Sequence, residues 1–299
     1  MRLIGLFALA LPLLPLAVAA QPATKSKTLA DCAALVASIP DIELAPEGMV
    51  EDVEGGCRAT HVIVGVSSML RYTIDEVTIL TPDILTTFPT GEVFKDATLD
   101  IKGMRFGPQT HSPLQDYIIA LTTVPMDIRL AYTTEPEALT SNVDFEFGAG
   151  DLGNIKASAS LSDFDNTDVD MTDVEDVGGT LNALDITMKD RGLFVAMFAP
   201  AVLNMVFSPV EDPRPAIAEM QETAIATLAS LPETTLSTAS LEAFSAFILA
   251  MPDPQGDWSV SFTSETGLSL DRLRSDDPTA LAEFIADTKI EAAGEPAAP

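Results

Sequence analysis

The strongest constraint on the fold is a two-residue rhythm that returns seven times between Val62 and Met188. Val62, Val64 and Val66 recur at every second position. Tyr72 and Ile74, then Val77 and Ile79, form a second run broken by a slip of the kind a β-bulge makes. The runs Ala97-Leu99-Ile101, Met126-Ile128-Leu130-Tyr132, Val143-Phe145-Phe147, Ile155-Ala157-Ala159-Leu161 and Leu184-Ile186-Met188 repeat the pattern. Successive side chains of a strand point to opposite faces, so each run has one dry face and one wet face, as in antiparallel sheets. Strands this short and this regularly spaced predict a large meandering antiparallel sheet.

Helical signals flank that region. Asp31 to Ser38 reads as a short helix with Leu35, Val36 and Ile39 inward, stopped by Pro40. Ser112 is placed as an N-cap, Pro113 as the first helical residue and Gln115 as the partner of a capping box. Leu114, Tyr117, Ile118 and Leu121 then fall on one apolar face. After Asp190 the chain turns helical: Arg191 to Ser208 is apolar nearly all round, and Pro213 to Leu231 and Ser240 to Met251 are amphipathic. A last pair of strands is expected around Trp258-Val260-Phe262 and Leu268-Leu270, followed by a short helix carrying Leu281, Phe284 and Ile285. Strands first and helices later is the order of an α+β fold. The expectation is one domain over 21–290, strand-rich over 58–190 and helix-rich over 191–290. Its C-terminal helices would pack on one face of the sheet, and 291–299 would be a disordered tail.

Arg2 is the only charge before an apolar run from Leu3 to Val18, which ends in Ala17-Val18-Ala19-Ala20. The run is about 16 residues, short for a span of roughly 20. A positive start, an apolar core and an A-x-A site predict a secretory signal over 1–20 and a mature protein in the periplasm or secreted. No later stretch is long enough to span a membrane. The two cysteines of an exported chain usually pair, so Cys32 and Cys57 are expected to form a disulfide. A formal charge of -29 argues against nucleic acid, whose phosphates need Lys and Arg, and against docking onto anionic headgroups.

No motif names a reaction. The acidic run after Leu161 places Asp163, Asp165, Asp168 and Asp170 together, and clustered carboxylates can hold a hard cation such as Ca²⁺. The spacing departs from an EF-hand loop, because Thr167 stands where a ligand belongs and no Gly follows, so a solvated sheet edge is the favoured reading. His61 and His111 are the only histidines. Gly65-Val66-Ser67-Ser68-Met69 begins like a nucleophile elbow, but Met69 replaces the closing Gly. The sequence assigns no catalytic residue and no cofactor. The unusual segment is Leu193 to Phe207, in which Phe194, Met197, Phe198, Leu203, Met205 and Phe207 read either as a buried helix or as a wall for an apolar ligand.

The stretch from Gly179 to Phe194, an alternating strand running into Asp190-Arg191-Gly192-Leu193-Phe194, resembles an element of secreted alphaproteobacterial proteins of unknown function. The Leu241-Glu242-Ala243-Phe244 helix before Pro252 and Trp258 is similar to the same proteins. A fainter likeness is to AsmA-like envelope proteins, whose long sheets handle lipids. The resemblance implies an envelope setting. The leading expectation is a non-enzymatic protein that holds a lipid, another apolar ligand or an envelope partner. The alternatives are a hydrolase using acidic residues or His61, and a structural scaffold.

Overall fold

A computed structural model describes residues 28–67, 69–90, 94–108, 110, 112–164, 179–199, 214–270 and 288–296. The expected signal segment lies outside them. Eleven antiparallel strands form an open sheet, and the described chain falls into two compact units.

The N-terminal unit runs to Gly150. It holds α1 (Cys32–Ser38), β1 (Ile42–Leu44), β2 (Val50–Val53), β3 (Gly56–Gly65), β4 (Leu70–Leu80) and α2 (Ile84–Thr87). β5 (Asp96–Pro108), α3 (Pro113–Thr122), β6 (Met126–Glu135) and β7 (Thr140–Gly148) complete it. Its strands lie in the order β1-β3-β4-β5-β6-β7, with β2 also on β3. The register explains the alternation read from sequence. Cys57, Ile79, Leu99, Leu130 and Phe145 are cross-strand partners along one row. The adjacent row, on the opposite face, is Arg58, Thr78, Asp100, Arg129 and Glu146. Ion pairs stitch this wet face: Arg129 to Asp100 at 3.0 Å, Lys102 to Glu76 at 2.7 Å, and Arg58 to Glu51. The Lys102 ammonium holds the Glu76 carboxyl below its ordinary range.

The slip expected in β4 is a kink shared by three strands. Between Thr60↔Glu76 and Val62↔Ile74 the parity changes, and between Ile101 and Met104 the register of β5 against β6 shifts. His61 and Gly103 absorb the extra residue with φ of 52 and 65. At Gly103 the Asp75 carboxylate occupies the place a Cβ would need, and Arg105 binds both that carboxylate and the Gly103 carbonyl. The kink keeps the buried residues Ile74, Val62, Met104 and Met126 on the face of Ala59 and Ile101.

α1 is capped by Asp31, whose carboxylate accepts the Ala34 N–H at 2.8 Å. The Cys32–Cys57 disulfide, with Cα atoms 5.5 Å apart, ties this helix to β3. Cys32, Leu35, Cys57 and Ile84 form a buried cluster with Leu29, Val50, Ile79 and Phe88 against it.

The C-terminal unit holds β8 (Gly153–Ser162), β9 (Thr180–Asp190), a π-helical turn (Phe194–Phe198), α4 (Arg214–Ala229), α5 (Thr238–Ala250), β10 (Gly256–Ser269) and β11 (Thr288–Pro296). Its strands lie in the order β8-β9-β10-β11. The row Ile155, Met188, Trp258 and Gly294, and the row Ala159, Leu184, Phe262 and Ile290, share one face. Lys189, Asp257 and Glu295 form a row of the other face. Ala246, Phe247 and Met251 pack against Met188 and Trp258, and Leu228, Leu241 and Phe244 against Phe262 and Ile290. Gln221 of α4 donates to the carbonyls of Ile248 and Met251, which close α5.

Two expectations are corrected. The last pair of strands is one strand, β10, with a register shift between Thr263 and Leu268. Residues 291–296, expected as tail, extend β11. Its inward positions are Ile290, Ala292 and Gly294, and the last two have too little apolar surface to announce an alternation. Gly294 is small because the Trp258 ring lies over it: a Cβ there would overlap the ring.

Candidate functional site

The expected ligand wall is divided. Phe194 is 2% exposed and belongs to the core of the C-terminal unit, with ring centroids 6.1 Å from Phe247, itself 5.1 Å from Trp258. Met197 and Phe198 are half-buried, and Leu203, Met205 and Phe207 lie outside the described residues. Asp190, fully buried, starts this turn by accepting the N–H groups of Gly192 at 2.8 Å and Phe194 at 3.2 Å.

The other candidates are scattered. Asp163 is exposed, with φ of 52, and accepts from the Thr180 hydroxyl at 3.4 Å; Asp165, Asp168 and Asp170 lie outside the described residues. His61 is exposed on the kink of β3, and His111 lies outside the described residues. Cys32, Cys57 and Asp52 bring metal-ligand atoms together, but the sulfurs are bonded to each other and lack a thiolate to offer. Asp52 instead accepts the Cys32 N–H at 3.0 Å.

What the structure brings together is an apolar end of the N-terminal unit. α3 begins as its sequence dictates, with the Ser112 hydroxyl accepting the Gln115 N–H. Its attachment is not through its apolar face. Arg71 of β4 pairs with Asp116 at 2.9 Å, and Ile119 lies against Gly107 of β5, where a Cβ would crowd it. The residues on the far side of the helix therefore face outward: Leu114 is 68% exposed, Tyr117 62%, Ile118 49% and Leu121 66%. This is an amphipathic helix set inside out.

Register places more apolar surface at the same end. Leu70 pairs with Pro108 and Tyr72 with Phe106, whose rings lie 5.0 Å apart. Leu70 and Phe106 are exposed, as are Val66 and Met69 in the turn between β3 and β4, and Val124 where the chain enters β6. Scattered exposed hydrophobics need no explanation, but a cluster of them marks an interaction surface.

Charge is sparse here. Segments 64–73 and 104–126 carry only Arg71, Arg105 and Asp116, in a chain of net charge -29. Arg71 is paired with Asp116, and Arg105 with Asp75 at 2.9 Å. The sequence shows the helix's apolar stripe but not its direction, which depends on Gly107 and Arg71 in strands distant along the chain. No family model, curated protein or solved structure matches the chain.

Proposed function

We propose that the protein is a non-enzymatic, exported protein of the cell envelope that engages an apolar partner through the uncovered end of its N-terminal unit. One observation carries the reading: the outward face of α3, with Leu114, Tyr117, Ile118 and Leu121 all 49% exposed or more. A solvated apolar stripe on a helix is unfavourable unless something covers it. The signal-like amino terminus and the Cys32–Cys57 bridge support export, because disulfides persist in oxidising compartments. The likeness to secreted and AsmA-like envelope proteins points the same way. Among the described residues no helix is long and apolar enough to cross a membrane.

In this reading α4 and α5 cover the dry face of β8 to β11. Phe194, Met197 and Phe198 then complete that cover, and the binding role moves to the N-terminal unit. Amide hydrogen exchange with and without a monomeric lysophospholipid tests the assignment. Protection should concentrate in segments 64–73 and 112–124. Protection confined to the C-terminal unit would return the role to Phe194 and its neighbours, and none anywhere would end the reading.

A further inference from the structure

We infer that the occupant of the apolar end is the surface of a zwitterionic lipid bilayer, an inference that rests on the binding role proposed above for the same residues. The first argument is shape. Arg71 and Gly107 face α3, while their strand neighbours Leu70 and Phe106 point to the opposite side of the sheet. Apolar groups therefore protrude on both sides of one end: Leu114, Ile118 and Leu121 on the helix side, Leu70 and Phe106 on the other. A folded protein partner covers one face. A fluid apolar phase accepts a protruding end from every side.

The second argument is charge. A chain of -29 is repelled by anionic headgroups, and among the described residues this end offers no spare Lys or Arg to offset that, since Arg71 and Arg105 are both paired. Attraction must come from apolar burial alone, which suits headgroups without net charge. The third argument is depth. α3 has 10 residues and is about 15 Å long, half the roughly 30 Å of a hydrocarbon core, so it lies in the interface without crossing it. Tyr117, exposed beside the leucines, has the amphipathic ring that settles at headgroup level.

Vesicle flotation of the full chain, as purified after export, tests this. The protein should float with phosphatidylcholine vesicles. Adding phosphatidylglycerol should weaken binding at low salt, and raising the salt should restore it, the reverse of a protein that docks by basic residues. Leu114→Ser and Leu121→Ser should each lower partitioning about tenfold, since a buried Leu is worth about 1.5 kcal/mol or more. Each variant shares the amino terminus of the parent, so an apolar run left there contributes equally to both. An unchanged far-ultraviolet circular dichroism spectrum, to which the strands of both units contribute, reports that a variant is folded; Tyr117→Ser serves if a leucine variant is not. Failure to float, equal flotation of parent and variants, or tighter binding to anionic vesicles would each overturn the bilayer as occupant. If lysophospholipid monomers still protect α3 while vesicles do not bind, the apolar-binding role stands and the bilayer alone falls. If neither binds, both fall.

Discussion

Gly294 and Trp258 show how one absent side chain can hold a larger one. The indole donates its N–H to the Pro254 carbonyl at 2.6 Å and lies over Gly294 on the neighbouring strand. Gly294→Ala should destabilise the protein by about 1–3 kcal/mol, because the ring must leave a satisfied, close-packed position. Urea unfolding followed by Trp258 emission measures it, and a midpoint equal to wild type would refute the overlap. Asp190 is a second such residue. Its Oδ1 starts the turn at Phe194, while its Oδ2 is buried without a hydrogen-bond partner among the described residues. Asp190→Ala should cost about 1–3 kcal/mol, and Asp190→Asn less, because the accepting oxygen survives. Equal losses for the two would show that the negative charge, not the acceptor, matters. Tyr132 carries a pH dependence. Burial, and then the charge of Asp96, push its hydroxyl from 10.0 up to about 12. The neutral ring is favoured in the fold, so its stabilisation is complete below pH 10.0 and is lost as pH climbs toward about 12. Denaturant midpoints across that window should fall more steeply for wild type than for Tyr132→Phe; parallel curves would contradict the burial.

At the scale of elements, α1 depends on its covalent tie. The helix is only 7 residues long and buries Cys32 and Leu35. Opening the Cys32–Cys57 bridge, which closes 25 positions of sequence, should cost about 3 kcal/mol in the chain-entropy model. Protease cleavage near Ala30 should then appear in Cys57→Ser and not in wild type; resistance in both would mean that Leu35 and Ile84 suffice. All seven expected strands correspond to elements of the sheet, β3 through β9, because each repeats apolar residues at every second position, at least two of them large. β11 escaped, since an alternation built on Ala292 and Gly294 has no amplitude. β10 was divided in two because Thr263 to Gly267, where its register against β9 shifts, carries no apolar side chain. For α3 the apolar stripe and the Ser112 cap were legible. Its outward direction was not, because it is decided by Gly107 and Arg71, which periodicity within a helix cannot weigh. The candidate site therefore contains residues that the sequence highlighted, Leu114 through Leu121, in a role that only the packing assigns.

For the whole molecule the dominant quantity is charge. With 45 acidic residues against 16 basic ones, the folded chain repels itself more strongly than the expanded one. Moderate NaCl should raise the melting temperature by screening that repulsion, and calorimetry at two ionic strengths reads it directly; a lower melting temperature in salt would mean that ion pairs such as Arg129 with Asp100 outweigh it. The same repulsion keeps copies apart, yet long antiparallel strands also invite them to join edge to edge. β11 meets this hazard chemically. The Ile290 N–H is taken by the carbonyl of Thr235, just before α5, at 2.8 Å, and the Ala292 N–H by the hydroxyl of Ser240, in the first turn of α5, at 3.1 Å. An incoming strand would find those two donors already spent, so fibril growth from this margin would first have to peel away a helix.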